Sequence, residues 1–391
     1  DSMNSFRVSK GIGHRDQVME SIDCSFLRYS QNCQNCFASV NLRNKQYFIF
    51  NKPYTKEAYF EELKKYDLGS HKTYKEVEKL AHEHWKKFPP HPDVSRNAVN
   101  STGSYIFGAK NCKECYEVVG AEDCKYLLLT TVGPIKDCYD VSSWGNNMQL
   151  VYESCCVGEN ISNVKFCQES GTSLQNVEYC KVIHHGVSDA FGSIAVRKCQ
   201  YVIFNKRYTK EEYEALLPKI KKHIDEIPYT DKKGNVYRYG EFFPSELSPY
   251  PYNITVANDF FPLSKENAIA EGRAWRGLDT TEYQVTMKAE DLPDHIKEAS
   301  DAITKEIIAC ATCKRGFRVI PTELEFLRAM NVPLPRECPF CRINKKFKHW
   351  MKNLTLVERI CDSCKTQFHT SHTVEDAPHI LCKACYLKEV I

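Results

Sequence analysis

Eight cysteines between Cys310 and Cys385 stand as four C-x-x-C pairs: "CATC" (Cys310, Cys313), "CPFC" (Cys338, Cys341), "CDSC" (Cys361, Cys364) and "CKAC" (Cys382, Cys385). Twenty-four residues separate the first two pairs, and seventeen separate the last two. A C-x-x-C knuckle presents two thiolates on one tight turn, and two knuckles complete a tetrahedral four-sulfur shell about 2.3 Å from Zn²⁺. The spacing predicts two structural Zn²⁺ ions, one for each consecutive set. Four thiolates leave no coordination position for a substrate, so the ions would fold their segments rather than catalyse. His369 and His372 have ligand-like spacing, but four sulfurs already satisfy the second ion, and they read as loop histidines.

The bridge between the two sets, "RINKKFKHWMKN", interleaves Arg342, Lys345, Lys346, Lys348 and Lys352 with Phe347 and Trp350. Bases among aromatics can contact phosphates and stack on nucleobases. Residues 310–391 hold 14 Lys or Arg against 8 Asp or Glu, a local balance of +6 in a chain whose net charge is +3. The alternative is a solvated helix whose aromatic residues pack on the ribbons.

The other twelve cysteines lie between Cys24 and Cys199. From Asn111 to Phe204 they recur in phrases such as "EDCKYLLL", "KDCYDVSS" and "EYCKVIHH", separated by turn-forming Asn, Gly, Ser and Asp. Two such phrases would make a coil of about 24 residues, the pattern of a parallel β-solenoid. Cys124, Cys138, Cys167 and Cys180 are expected inside it, as small apolar packing residues. Cys33 with Cys36 and Cys112 with Cys115 share the knuckle spacing, and metal binding is their alternative reading. Asp123, Asp137, Asp140 and Glu153 could line a groove, although turn positions explain them. His184 and His185 are adjacent on a strand and should point to opposite faces.

An internal duplication frames this region. "QYFIFNKPYTKEAYFEEL" (Gln46–Leu63) returns as "QYVIFNKRYTKEEYEALL" (Gln200–Leu217), and the segments from Asn41 and Ala195 share 13 of 23 positions. Each copy reads as a last strand followed by a helix that covers the open end of a stack. Thr209 and Glu212 form a capping box, and Pro218 should end or kink the second helix. A further helix is expected over Tyr74–Phe88, a hairpin over Tyr229–Phe243, a short helix opening at Ser264, and another over Asp294–Ile308.

The fold class is therefore α+β: Cys-rich parallel β-solenoid-like repeats with helical caps, followed by two C-terminal zinc ribbons. The expected division is 1–99 and 100–226 for the two capped units, 227–305 for a hairpin and helical connector, 306–356 for the first ribbon with its basic bridge, and 357–391 for the second. The start "DSMNSFRVSK" lacks an initiator Met and reads as a fragment with upstream elements missing. No apolar run is long enough for a membrane span, and cysteine usage without an export signal points to the cytoplasm.

"YGEFFPSELSPYPYN", "FPLSKENAIAEGRAW", "IPTELEFLRAMNVPLPRECPFCR" and "LCKACYLKEV" resemble an uncharacterised zinc-ribbon family of metagenomic candidate-phylum bacteria, closely over residues 200–391. The resemblance implies no known activity. No phosphate-binding Gly loop, dinucleotide fingerprint or nucleophile elbow is present. The chain thus reads as a non-enzymatic zinc-binding scaffold that contacts nucleic acid, a ribonucleoprotein or another protein. A glycan- or nucleotide-directed enzyme with a groove on the solenoid is the alternative.

Overall fold

The computed structural model describes residues 5–16, 18–277 and 284–390. The chain divides into two compact units, one of residues 1–92 with 279–391 and the other of residues 93–278.

Both units contain parallel rungs built on a three-residue step. Between Glu20 and Phe50 every third residue has φ near +50°: Glu20, Asp23, Phe26, Tyr29, Asn32, Asn35, Ala38, Asn41, Asn44, Tyr47 and Phe50. This left-handed conformation turns the chain through a corner, at a cost of roughly 1–2 kcal/mol for residues other than Gly. The residue after most corners points inward. Ser21, Cys24, Leu27, Ser30, Cys33, Cys36, Ser39 and Leu42 are all buried. The remaining residue of each step pairs with the next rung, as in Ile22 with Gln34, Ser25 with Phe37 and Arg28 with Val40, all parallel.

In the second unit the same interior step gives Cys112, Cys115, Val118, Ala121, Cys124 and Leu127, and later Leu174, Val177, Cys180 and Ile183. Gly103 pairs in parallel with Cys115, and Tyr139 with Tyr152, so the chain returns beside itself after twelve or thirteen positions. Seven of these strands close into a barrel-like ring, because Ile135–Lys136 pairs with Ala121–Glu122 on one side and with Met148–Gly158 on the other. Two expectations are corrected here. The return interval is half of the expected coil, since one cysteine phrase already makes a complete return. Over these seven strands the path of neighbours also closes on itself, while Ile161–Lys165, Leu174–Glu178, His184–Phe191 and Arg197–Ile203 continue from it one beside the next.

The rungs explain the alternation of Ser and Cys at interior positions. Ser21 Oγ donates to Met19 O (2.9 Å) and accepts from Cys33 N (3.2 Å). Cys24 Sγ donates to Ile22 O (3.2 Å) and accepts from Cys36 N (3.4 Å). Ser154 and Cys180 make the same pair of bonds in the second unit. A one-atom donor-acceptor head after each corner satisfies two backbone groups of a buried turn, so the thiols are polar connectors as well as filler. Asn111 and Asp123 form part of a ladder along one corner (2.9 Å).

The duplicated blocks adopt one design. Asn51 N donates to Ser39 Oγ, while its side chain accepts from Val40 N and donates to Val40 O. Asn205 does the same with Ser193 and Ile194. Helices α1 (Lys56–Leu63) and α3 (Lys210–Glu226) follow, capped by Thr55 and Thr209. Tyr59 of α1 lies on Tyr47, with ring centroids 5.7 Å apart, and Tyr213 of α3 lies on Tyr201 at 5.8 Å. The capping box of Thr209 and Glu212 is present. Pro218 does not end α3: it sits on the exposed side, and Leu216, Leu217, Ile220 and Ile224 hold the helix against Tyr201 and Tyr239.

Helix α2 (His71–Trp85) is capped by Ser70 and buries Tyr74, Val77, Ala81 and Trp85. In the second unit a short hairpin joins Tyr229–Thr230 to Val236–Tyr237. Helices α4 (Val256–Phe260) and α5 (Lys265–Ala270, capped by Ser264) follow. The helix expected over Asp294–Ile308 is replaced by two short 3-10 turns, Ile296–Glu298 and Asp301–Lys305. Arg328 takes the Ala299 carbonyl and the Asp301 carboxylate, breaking the ladder between them. The C-terminal region adds α6 (Pro321–Ala329), α7 (Pro339–Lys352) and α8 (Lys383–Glu389). Among the described residues no helix is long and apolar enough to cross a membrane.

Candidate metal centres

Each ribbon carries one convergent sulfur group. The Sγ atoms of Cys310, Cys313, Cys338 and Cys341 lie within 4.8 Å of one another, as do those of Cys361, Cys364, Cys382 and Cys385. The pairing is sequential, as the spacing predicted. Cys338 and Cys382 are N-caps of α7 and α8, so each second knuckle opens directly into a helix. The second knuckle of each ribbon bonds back onto the first: Cys338 N donates to Cys310 Sγ and Cys382 N to Cys361 Sγ, both at 3.2 Å.

The donor sets fit a tetrahedral ion. A metal–sulfur bond of about 2.3 Å implies sulfurs about 3.8 Å apart along each edge of the tetrahedron. Cys313 to Cys338 and Cys364 to Cys382 are both 3.7 Å. Burial opposes ionisation of Cys310, yet the N–H groups of Cys313, Cys338 and Thr312 bring its thiol down to about 6. The hydroxyl and N–H of Thr366 bring Cys364 to about 6 as well. Each set could hold one metal ion, with its sulfurs as the only ligands. Among the described residues no other group of three or more His, Cys, Asp or Glu converges in this way.

The remaining predicted site residues fall elsewhere. Cys33, Cys36, Cys112 and Cys115 are buried in the rungs, where each sulfhydryl faces the carbonyl two residues back. Asp123, Asp137, Asp140 and Glu153 occupy corners with positive φ, and Glu153 accepts from Phe242 N. His184 and His185 do not point to opposite faces: positive φ at His185 breaks the strand alternation, and the rings lie 6.0 Å apart.

The basic bridge is α7. Arg342 pairs with Glu323 (3.0 Å), Lys345 with Glu337 (2.6 Å) and Lys352 with Asp376 (3.5 Å). Lys346 is half-buried, and burial together with Arg342 and Arg15 lowers its pKa. Lys348 is exposed, and Trp350 lies 5.2 Å from Phe347.

Several contacts that spacing could not reveal join the ribbon region to the N-terminal rungs. His349 of α7 meets Asp16 (3.2 Å), which also binds Arg28 (2.8 Å). Burial opposes the Asp16 charge, but Arg28 and His349 hold the carboxyl far below its ordinary range. His372 is buried and meets Tyr29 Oη (3.3 Å) and the His91 carbonyl (3.2 Å), and burial then Arg28 push its pKa down to about 4. Tyr386 of α8 donates to Asn41 Oδ1 (3.0 Å). The partners come from opposite ends of the sequence, so no local pattern connects them.

Comparison with protein-family models, curated proteins and solved structures returned no match.

Proposed function

We propose that the chain is a non-enzymatic, zinc-stabilised binding scaffold whose parallel rungs act as the platform. The observation that carries this reading is the closed geometry of the two sulfur groups. Four thiolates at tetrahedral spacing suit a structural Zn²⁺ and leave no place for a reacting ligand. Zinc there would hold α7 and α8 in register with the rungs they contact. Elemental analysis should find two zinc ions per chain, and fewer than one in fresh protein would overturn the reading.

Nucleic acid or a ribonucleoprotein is the partner this reading favours. The +6 balance of residues 310–391, exposed Lys348 and the Phe347–Trp350 pair support it. The internal pairing of Arg342, Lys345 and Lys352 reduces the charge they can offer. Anisotropy titrations of single- and double-stranded DNA and RNA at two salt concentrations test it. Changing Lys345, Lys346 and Lys348 to Glu should lower the salt slope by roughly 0.7–0.9 for each lost phosphate contact. Equal, weak binding by wild type and variant would favour a protein partner.

A further inference from the structure

A second feature of the N-terminal and ribbon unit lies apart from the sulfur groups. Helix α2, helix α7, the rung residues Arg15, Asp16 and Arg28, and the stretch Ser371–Asp376 enclose a cleft of about 550 Å³. Its lining holds seven Lys or Arg against four Asp or Glu. Each of those carboxylates already has a cation: Asp16 has Arg28, Glu78 has Lys75, Glu83 has Lys86 and Asp376 has Lys352. Lys79 is exposed on the rim and has no carboxylate within ion-pair distance among the described residues.

Two buried donors in the lining lack an acceptor. Trp85 is 3% exposed and Asn353 8% exposed, and among the described residues neither Trp85 Nε1 nor Asn353 Nδ2 has a hydrogen-bond partner. Indole N–H can only donate, so the group missing at Trp85 is an acceptor. Buried donors are rarely left unpaired, and an unpaired one calls for an explanation such as an unseen ion. Of the other three lining cations, Arg15 lies 3.9 Å from Glu78 and Lys345 pairs with Glu337, which leaves Lys79, and the positive balance of the lining favours an anion rich in oxygen acceptors over a metal ion.

We propose that this cleft binds a phosphate group, carried by a free nucleotide or by a nucleic-acid backbone. Lys79 and Lys352 supply charge from the rim, and a small shift of the wall brings the Trp85 and Asn353 donors, sealed in this structure, to the ligand. The inference rests on the binding-scaffold reading and gives it a ligand class and a location. Zinc content tests that reading separately, so either can fail alone.

The test uses the zinc-loaded full chain, ¹⁵N-labelled, titrated with inorganic pyrophosphate. The indole resonances of its four tryptophans report binding, and Trp85→Phe identifies the resonance that belongs to Trp85. That resonance should move on titration, and Trp85→Phe should weaken binding about tenfold, the effect of one hydrogen bond to a charged acceptor. Lys79→Glu combined with Lys352→Gln should weaken it at least as much and flatten its salt dependence. If single-stranded RNA displaces pyrophosphate, the source is a backbone phosphate; if only adenosine diphosphate does, it is a free nucleotide. Either result supports the cleft. An unmoved Trp85 resonance, with the lysine variant binding as wild type does, overturns the proposal. Because Lys79 and Lys352 are exposed, that variant decides the matter even if Trp85→Phe loses stability.

Discussion

The same amino acid does opposite work in the rungs and in the ribbons. A rung cysteine is a proton carrier: Cys180 Sγ donates to the Glu178 carbonyl, and burial pushes its pKa up to about 12. A ribbon cysteine is an acceptor: Cys310 and Cys361 take backbone N–H groups and converge with three other sulfurs. The first needs its proton to satisfy a buried carbonyl, and the second must lose it to hold a cation. The difference lies in the chain around the sulfur. A left-handed corner before the residue sets Sγ between a carbonyl that takes its proton and one N–H, whereas a knuckle offers Cys310 and Cys361 an N–H and three other sulfurs.

The sharpest way to separate the two classes is to remove metal. Zinc binding to such sites contributes on the order of 10–16 kcal/mol of folding free energy. Chelation should abolish hydrogen-exchange protection across residues 306–390 and leave the rungs of residues 103–204 protected. Loss of protection in both regions at one chelator concentration would erase the distinction.

Acid should act on the same side. His372 is neutral when folded, with a pKa near 4 against an ordinary 6.5. The unfolded chain therefore binds a proton first as pH falls. The stability held above about 6.5 is lost progressively down to about 4, by up to about 3 kcal/mol. Buried His14 is also lowered to about 4, chiefly by burial, and adds to the slope. Thermal melts of wild type and His372→Gln between pH 7 and 4.5 check this, and a slope unchanged in the variant would remove His372 as the cause.

Substitution gives the smallest effects and the finest contrast. Cys180→Ala should cost about 1 kcal/mol through the cavity and the unpaired carbonyl. Cys180→Ser should cost less, because Ser193 and Ser154 already fill the same slot. Cys361→Ser should instead lose one zinc ion. Denaturant melts and metal analysis of the three variants check the ordering. A Ser at position 180 as damaging as Ala would show that sulfur volume, not the hydrogen-bonding head, is what the rung requires.

These contrasts mark how far the sequence is legible. The ribbons were readable because a C-x-x-C pair is local chemistry at fixed spacing. The duplicated blocks were readable because Asn51 and Asn205, Thr55 and Thr209, and Tyr59 and Tyr213 keep their places. The interior period of three was hidden, because the corners carry Glu20, Phe26, Tyr29 and Tyr47 as readily as Asn. Those residues suggest strands, and strands suggest a period of two. The junction of Asp16 with His349 and of Tyr29 with His372 was beyond reach, since each pair is one contact between distant segments. Asp294–Ile308 misled for the opposite reason: its residues favour a helix, and Arg328, a distant side chain, decides otherwise.

The short return interval, one cysteine phrase to a winding, has a bearing on how such a chain can change length. Deleting or copying one whole interval would lay an equivalent edge against the old neighbour, with inward residues still inward and corner residues still at corners. Inserting a single residue would rotate every later side chain by one place in the three-residue step, sending Cys and Leu to the corners and Asn to the interior. Viable length variants should therefore differ by whole intervals, as a knitted cloth gains or drops entire rows.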